Sequence, residues 1–187
     1  MRRAFVGAAL AALAVCGGLA AVARPAERPA PAAAAPVVAA PAPYNPTDAA
    51  WLQLLVPMTE QNIRLAELTA ARATSPELRA LAAEIAEGHR TELARLRELT
   101  RLGGVTGDNP HTGHDMPGMT TAAEYAEAEH TTGADFDRLA ALHLREYLEQ
   151  SVRLAASEST AGSADAARRL AVDLHRTRSA QLTRLGP

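Results

Sequence analysis

The feature that most constrains the fold is an internal repeat, because the chain aligns with itself without a gap when it is shifted by 89 residues. The aligned stretches include 60–66 with 149–155, 81–82 with 170–171 and 93–96 with 182–185. Each copy carries apolar residues at helical spacing, and one such helix pair alone leaves its apolar stripe exposed to water. Two equivalent hairpins bury both stripes by packing together. The repeat therefore predicts an all-α four-helix bundle with an approximate two-fold axis. The connection between the hairpins is long, so it is compatible with a ferritin-like crossover as well as with a simple up-and-down order.

Capping signals divide the bundle domain, 47–187, into two hairpins and a connection. A polar cap residue followed by proline or by an acidic first turn marks a helix start, and glycine marks an end. The first hairpin is predicted at 47–102, the His/Met loop with one short helix at 103–131, and the second hairpin at 132–186. The signals used are Asn45-Pro46, Ser75-Pro76, Gly103-Gly104, a Thr121/Glu124 capping box, Thr132 and Ser163.

The N-terminus is typical of an exported protein. Residues 1–23 combine two arginines with an unbroken run of small and apolar residues, which predicts a secretory signal peptide or a membrane anchor. Cys16 lies within this run and loosely matches a lipoprotein box, so a cleaved signal, a lipid anchor and an uncleaved helix all stay open. Residues 24–46, nearly all alanine and proline, predict an extended, disordered tether. We expect the domain outside the cytoplasm, attached to a membrane only through its N-terminal segment.

Composition excludes several classes of function. The chain has 19 basic and 21 acidic residues, so it carries no basic surplus for binding nucleic acid. Cys16 is the single cysteine, which leaves the bundle without disulfides or thiolate ligands. Glu60-Gln61 and Glu149-Gln150 recur in both copies, but no nucleophile or ordered base stands beside them. We therefore predict a protein that is not an enzyme.

The connection between the hairpins contains the strongest ligand-like motif. His111, His114, Met116 and Met119 fall within nine residues. Imidazole and thioether groups suit copper, and thioethers favour Cu(I). These four donors predict a metal site in which the loop wraps around one ion. We expect that ion to be copper. The alternative is a solvated connector whose methionines pack on the bundle.

A second set of candidate ligands lies on the helices. His89 falls on the apolar stripe between Ile85 and Leu93, and His143 takes the place of Leu54 under the 89-residue shift, so both point inward. With Met58 they are candidates for a metal-binding layer inside the bundle. The alternative is core packing by Met58 and two buried histidines with hydrogen-bond partners.

These features resemble domain-of-unknown-function family 305, whose members are small, exported, ferritin-like helical proteins. The resemblance covers residues 48–185 and rests on the duplicated hairpin, the His-Asp-Met-Pro-Gly-Met segment at 114–119 and Gly-Ala-Asp-Phe-Asp at 133–137. It implies a bundle fold and, for some members, copper binding or metal tolerance. Typical members carry a His-His pair in the first helix of each half. This chain departs from that pattern, with Met58-Thr59 and Tyr147-Leu148 at those positions.

Two hypotheses follow for function. The first is an extracytoplasmic copper-binding protein that uses the His/Met loop, with a metal ion as its partner. The second is a structural or protein-interaction module of the cell envelope that has lost its metal and binds an envelope protein. The sequence leaves the oligomeric state open, and a homo-oligomer is compatible with both hypotheses.

Overall fold

The computed structural model describes residues 44–111 and 114–186. These residues form five α-helices and no strand, which confirms the all-α bundle predicted from the repeat. The predicted signal peptide or anchor at 1–23 and the predicted tether up to residue 43 lie outside the described residues. The helices are α1 (Pro46–Arg72), α2 (Pro76–Leu102), α3 (Ala122–His130), α4 (Gly133–Ala161) and α5 (Asp165–Leu185).

Side-chain caps determine where three of the helices begin. The Asn45 side chain accepts from the Asp48 amide while the Asp48 carboxylate accepts from the Asn45 amide, which completes a capping box. Thr121 and Glu124 form the same reciprocal pair at α3. The Ser75 hydroxyl caps α2, whereas the residue before α4, Thr132, makes no side-chain cap. Local capping contacts therefore fix the start of three of the five helices.

The two hairpins, α1–α2 and α4–α5, pack side by side. α1 lies against α4 and α2 against α5, and both pairs are antiparallel, since the start of each helix meets the end of its partner. The ends of α1 and α4, at Arg72 and Ala161, are offset by 89 residues, as are the starts of α2 and α5. The helix boundaries therefore follow the register of the sequence repeat.

A carboxylate from each hairpin caps the turn of the other. Asp48 accepts hydrogen bonds from the amides of Ser163 and Ala164 at 3.2 and 3.0 Å, and Asp137 accepts from the amides of Thr74 and Ser75 at 2.8 Å each. The two carboxylates and the two turns are related by the same 89-residue shift. These reciprocal contacts join the hairpins at both ends of the bundle.

The connection between the hairpins covers the groove between α1 and α4. Its first part is held by Asn109, whose side-chain amide donates to the Gln53 carbonyl at 2.5 Å. Further along, the Tyr125 ring of α3 lies under the Arg64 guanidinium at 4.3 Å. Arg72 donates to carbonyls at the end of α3. No helix among the described residues is long and apolar enough to cross a bilayer.

Candidate functional site

All the methionines except Met1 belong to one hydrophobic cluster or pack against it. Met58 on α1 is fully buried, Met119 from the connection is 6 % exposed, and Met116 packs on the same cluster while partly buried. We call these three side chains the methionine cluster. Its loop approaches the helices closely at Gly118, where an added Cβ would lie 3.0 Å from the Met58 methyl and 2.6 Å from Gln150 Cβ. Gly118 has φ +81°, so its backbone also favours glycine.

The two loop histidines do not follow the methionines into this cluster. His111 lines a separate cavity beside Trp51 and Leu54, near the start of α1. His114 is exposed, and its amide donates to the His111 carbonyl at 3.2 Å. The predicted four-donor set is therefore divided between the core and the surface. Within the described residues, no group of three or more His, Cys, Asp or Glu side chains is arranged to hold a metal ion.

His143 lies on α4 beside the same loop. It is 7 % exposed, its Nδ1 is 3.1 Å from the Glu146 carboxylate, and a Glu124 oxygen lies 4.0 Å away. The backbone carbonyl of Glu146 would be 3.0 Å from a Cβ at Gly118, so Glu146 contacts both His143 and the methionine-bearing loop. His143 Nε2 is buried and has no hydrogen-bond partner among the described residues. The sequence prediction that His143 points inward agrees with this geometry.

His89 lies instead in a buried layer of polar side chains at the middle of the bundle. Its Nδ1 is 2.9 Å from Asn62 Oδ1, its ring centre is 5.2 Å from that of Tyr147, and it is fully buried. Burial and the nearby Arg178 guanidinium hold the pKa of His89 well below its usual range. The imidazole is therefore neutral at physiological pH. With Nδ1–H donating to Asn62, Nε2 keeps its lone pair, and it is 3.9 Å from Glu92, too far for a hydrogen bond.

A guanidinium occupies the centre of this layer. Arg178 is fully buried, and its Nη2 donates to the Tyr147 hydroxyl at 2.6 Å and lies 3.0 Å from the Glu92 carboxylate. The Tyr147 hydroxyl lies 3.1 Å from the Thr59 hydroxyl on α1. We call Thr59, Asn62, His89, Glu92, Tyr147 and Arg178 the central polar layer. Burial raises the pKa of the Glu92 carboxyl, an effect that the Arg178 charge opposes.

Two members of the layer are related to other buried residues by the 89-residue repeat. The sequence alone did not identify most of the members. Arg178 is the 89-residue equivalent of His89, and Tyr147 is that of Met58. Buried arginine is unusual, and only its register opposite a buried histidine indicated its position. Glu92 lies one helical turn after His89 and therefore on the same face of α2, which also indicated an inward position. Arg178 already supplies the positive charge in this layer. The layer therefore does not favour a metal ion beside His89.

Glu158 is the acidic residue in the lining of the cavity near His111. Glu158 on α4 is fully buried and lies against Asp48. Burial and the Asp48 carboxylate raise the pKa of Glu158 to about 8, and hydrogen bonds from the turn amides and from Glu158 lower the pKa of Asp48 to about 2, against the effect of burial. At neutral pH these pKa values leave the Glu158 carboxyl protonated and the Asp48 carboxyl ionised.

Comparison with known proteins gives a family and a fold. The family described as "Domain of unknown function (DUF305)" matches residues 48–186. A DUF305 protein from Streptomyces coelicolor is similar at 20 % identity with a TM-score of 0.65, covering 74 % of this chain and 88 % of that one. A DUF305 fragment from Deinococcus radiodurans is similar at 17 % identity and TM-score 0.65, covering 76 % and 95 %. No curated protein sequence matches the chain.

A third similar structure contains a metal. CopM in its Cu(I)-bound form shares 19 % identity with a TM-score of 0.62, covering 74 % of this chain and 91 % of CopM. Ag-bound and Cu(II)-bound forms of CopM are similar as well. At these identities the likeness extends to the fold alone.

Proposed function

This chain belongs to the DUF305 family, and on that basis we propose that it binds a soft metal ion of the copper type outside the cytoplasm. The observation that carries the proposal is the convergence of Met58, Met116 and Met119 on one core cluster. Met58 comes from α1 and the other two come from the connection between the hairpins. They lie in one cluster only in the folded protein. CopM, a protein of the same fold, has been solved with Cu(I) and with Ag.

The chemistry of the donor set favours Cu(I) over harder ions. Thioethers are soft, uncharged ligands and bind Cu(I) in preference to Mg²⁺ or Ca²⁺, which require oxygen ligands. The surroundings of the methionine cluster are apolar, and a monovalent ion costs less to desolvate there than a divalent one. The residues present therefore fit a cuprous ion.

His143 supplies the fourth donor in this proposal. Its Nε2 is buried without a hydrogen-bond partner among the described residues, and Glu146 joins its Nδ1 to the methionine-bearing loop. A carboxylate on the other ring nitrogen orients a ligating histidine and makes it more basic. Of the loop residues, Met116 and Met119 are thus ligands of the core site, while His114 is exposed and serves to capture ions at the surface.

The proposed setting follows from the N-terminus. The signal-like run at 1–23 and the Pro/Ala tether predict export, and the domain is then held outside the cytoplasm by an anchor or released. Binding and buffering of copper there requires no catalytic group. We propose no reaction for this protein.

Competition for Cu(I) tests the proposal. The purified chain is titrated without oxygen against a chromophoric Cu(I) chelator, together with Met58→Leu, Met119→Leu and His143→Gln. Methionine and leucine have similar volumes, so the fold is retained. We expect the wild type to withdraw about one Cu(I) per chain and each variant to bind about tenfold or more weakly, since one ligand is lost.

A matched control adds a thioether elsewhere in the core. Leu96→Met alters the second hydrophobic cluster, toward the end of the bundle where α1 begins, and should leave Cu(I) affinity unchanged. If the wild type takes no Cu(I) from the chelator, or if all three ligand variants bind as it does, the proposal is wrong. The second hypothesis, a metal-free structural or interaction module, would then be favoured.

A further inference from the structure

The connection between the hairpins makes a tight turn where it carries its two methionines. The Met119 amide donates to the Met116 carbonyl at 2.9 Å, which closes the turn. Its two central residues are Pro117 and Gly118, and Gly118 has φ +81°. Proline followed by a residue with positive φ is typical of a type II β-turn. The turn therefore places Met116 at its first position and Met119 at its last, with both side chains against the same cluster.

The three thioethers of the methionine cluster differ in their access to solvent. Met58 is fully buried and Met119 is 6 % exposed, whereas Met116 is only partly buried. The residues on either side of Met116, which are Asp115 and Pro117, are exposed. An oxidant in solution therefore reaches the Met116 side chain more readily than the other two.

Peroxide oxidises a methionine side chain by transfer of one oxygen atom. A sulfur lone pair attacks hydrogen peroxide, the O–O bond breaks, and the products are methionine sulfoxide and water. The sulfur loses two electrons and the peroxide gains them. The new S=O group is a strong hydrogen-bond acceptor, so it costs free energy in an apolar cluster and little in water.

The position of each methionine decides whether the bundle tolerates this oxygen atom. Met116 lies at the edge of the cluster, so its sulfoxide can turn toward solvent while the helices stay in place. Met58 has no such path, because it is fully buried and its methyl would lie 3.0 Å from a Cβ at Gly118. Oxidation of Met116 therefore retains the fold but removes one thioether from the cluster.

We propose that Met116 is an oxidation site through which peroxide weakens copper binding by the methionine cluster. This inference rests on the proposed function, which makes Met116 one of the Cu(I) ligands. A sulfoxide offers a hard oxygen atom in place of the soft sulfur that Cu(I) prefers. Reduction by a methionine sulfoxide reductase restores the thioether, so the modification is reversible.

Mass spectrometry of the metal-free full chain tests the selectivity. The protein is exposed to hydrogen peroxide for increasing times and digested, and fragmentation locates the sulfoxide on each methionine. We expect Met116 to be oxidised several times faster than Met58 and Met119, with the circular dichroism unchanged. In concentrated urea the three rates should converge, because the fold no longer protects two of the side chains. Equal rates in the folded chain, or the same preference in urea, overturn the proposal.

Cu(I) competition on the same samples tests the consequence. After removal of the peroxide, the chain oxidised at Met116 should bind Cu(I) about tenfold or more weakly than the untreated chain. Treatment with the reductase should restore the affinity. A variant that combines Met116→Leu with Val172→Met is the matched control, because it moves the accessible methionine to an exposed position on α5. Oxidation of this variant should leave its Cu(I) affinity unchanged.

The outcomes separate this inference from the proposed function. An untreated chain that takes no Cu(I) from the chelator would overturn both. Unchanged Cu(I) affinity in the chain oxidised at Met116, or an equal loss of affinity in the matched control, would overturn this inference alone.

Discussion

The neutral state of His89 has a consequence for stability that can be measured directly. The imidazole is fully buried and is faced by Asn62 on α1, Glu92 on α2, Tyr147 on α4 and Arg178 on α5. Burial and the Arg178 charge keep its pKa well below 6.5 in the folded protein. In the unfolded chain the same histidine takes up a proton near its ordinary pKa of about 6.5. The unfolded state therefore binds more protons at acidic pH.

The sign and size of the effect follow from this difference. When the unfolded state binds the extra proton, the free energy of unfolding falls as pH falls. One such group changes it by about 1.4 kcal/mol per pH unit below pH 6.5, until the folded pKa is reached. Between pH 7.5 and 5.0 the contribution lost is therefore up to about 2 kcal/mol.

Substitution of His89 by glutamine isolates this contribution. His89→Gln keeps a polar amide opposite Asn62 but does not titrate, so urea unfolding at pH 7.5 and 5.0 should show less acid destabilisation than in the wild type, by up to about 2 kcal/mol. Groups that titrate in both proteins cancel in the comparison. Substitution of an exposed histidine on α5, His175→Gln, is the control and should not change the difference. Equal pH dependence of wild type and His89→Gln would refute the assignment of a neutral, buried imidazole.

Three further predictions concern the contacts that hold the bundle together, each measured by urea unfolding monitored by circular dichroism. Asp48→Asn should lower the free energy of unfolding by about 2–4 kcal/mol and Asp137→Asn by only about 1 kcal/mol, because the Asp48 carboxylate is fully buried and its counterpart is half-exposed; equal losses would contradict this. Gly118→Ala should cost about 1–3 kcal/mol through overpacking against α1 and α4, and an unchanged stability would mean that the loop does not lie where described. Arg178→Met should cost about 3–5 kcal/mol, since it leaves Glu92 buried without its cation, and adding Glu92→Gln should recover part of that loss; additive losses would argue against the pair.

Signals in the sequence were sufficient to predict the helices and the two hairpins that they form. Asn45, Ser75 and Thr121 cap helices through side chains only three residues from their partners, so the contact is encoded locally. The hairpin pairing follows from the repeat, because equivalent apolar stripes have one efficient way to be buried. The hydrogen bonds that Asp48 and Asp137 accept from the turn of the other hairpin follow the same register. No pattern at a single residue identified them.

The candidate ligands were harder to predict, because a loop has no periodic constraint on where its side chains point. Proximity in sequence grouped His111 with Met119, but packing sends the methionine into the core and the histidine to a cavity beside Trp51. Met119 instead belongs to the same hydrophobic cluster as Met58, which is distant in sequence. Burial of Arg178 depends on tertiary contacts with Glu92 and Tyr147, which sequence spacing alone does not reveal.

The measurement that most directly tests the central claim is X-ray absorption spectroscopy of the Cu(I)-loaded chain. Cys16→Ser removes the one thiol, so that methionine is the only remaining source of sulfur ligands. We expect a copper environment dominated by sulfur, with one nitrogen. The sulfur signal should disappear in the Met58→Leu, Met116→Leu, Met119→Leu triple variant. A copper ion surrounded only by nitrogen and oxygen, or the same spectrum in the triple variant, would contradict the claim that the methionine cluster is the metal site.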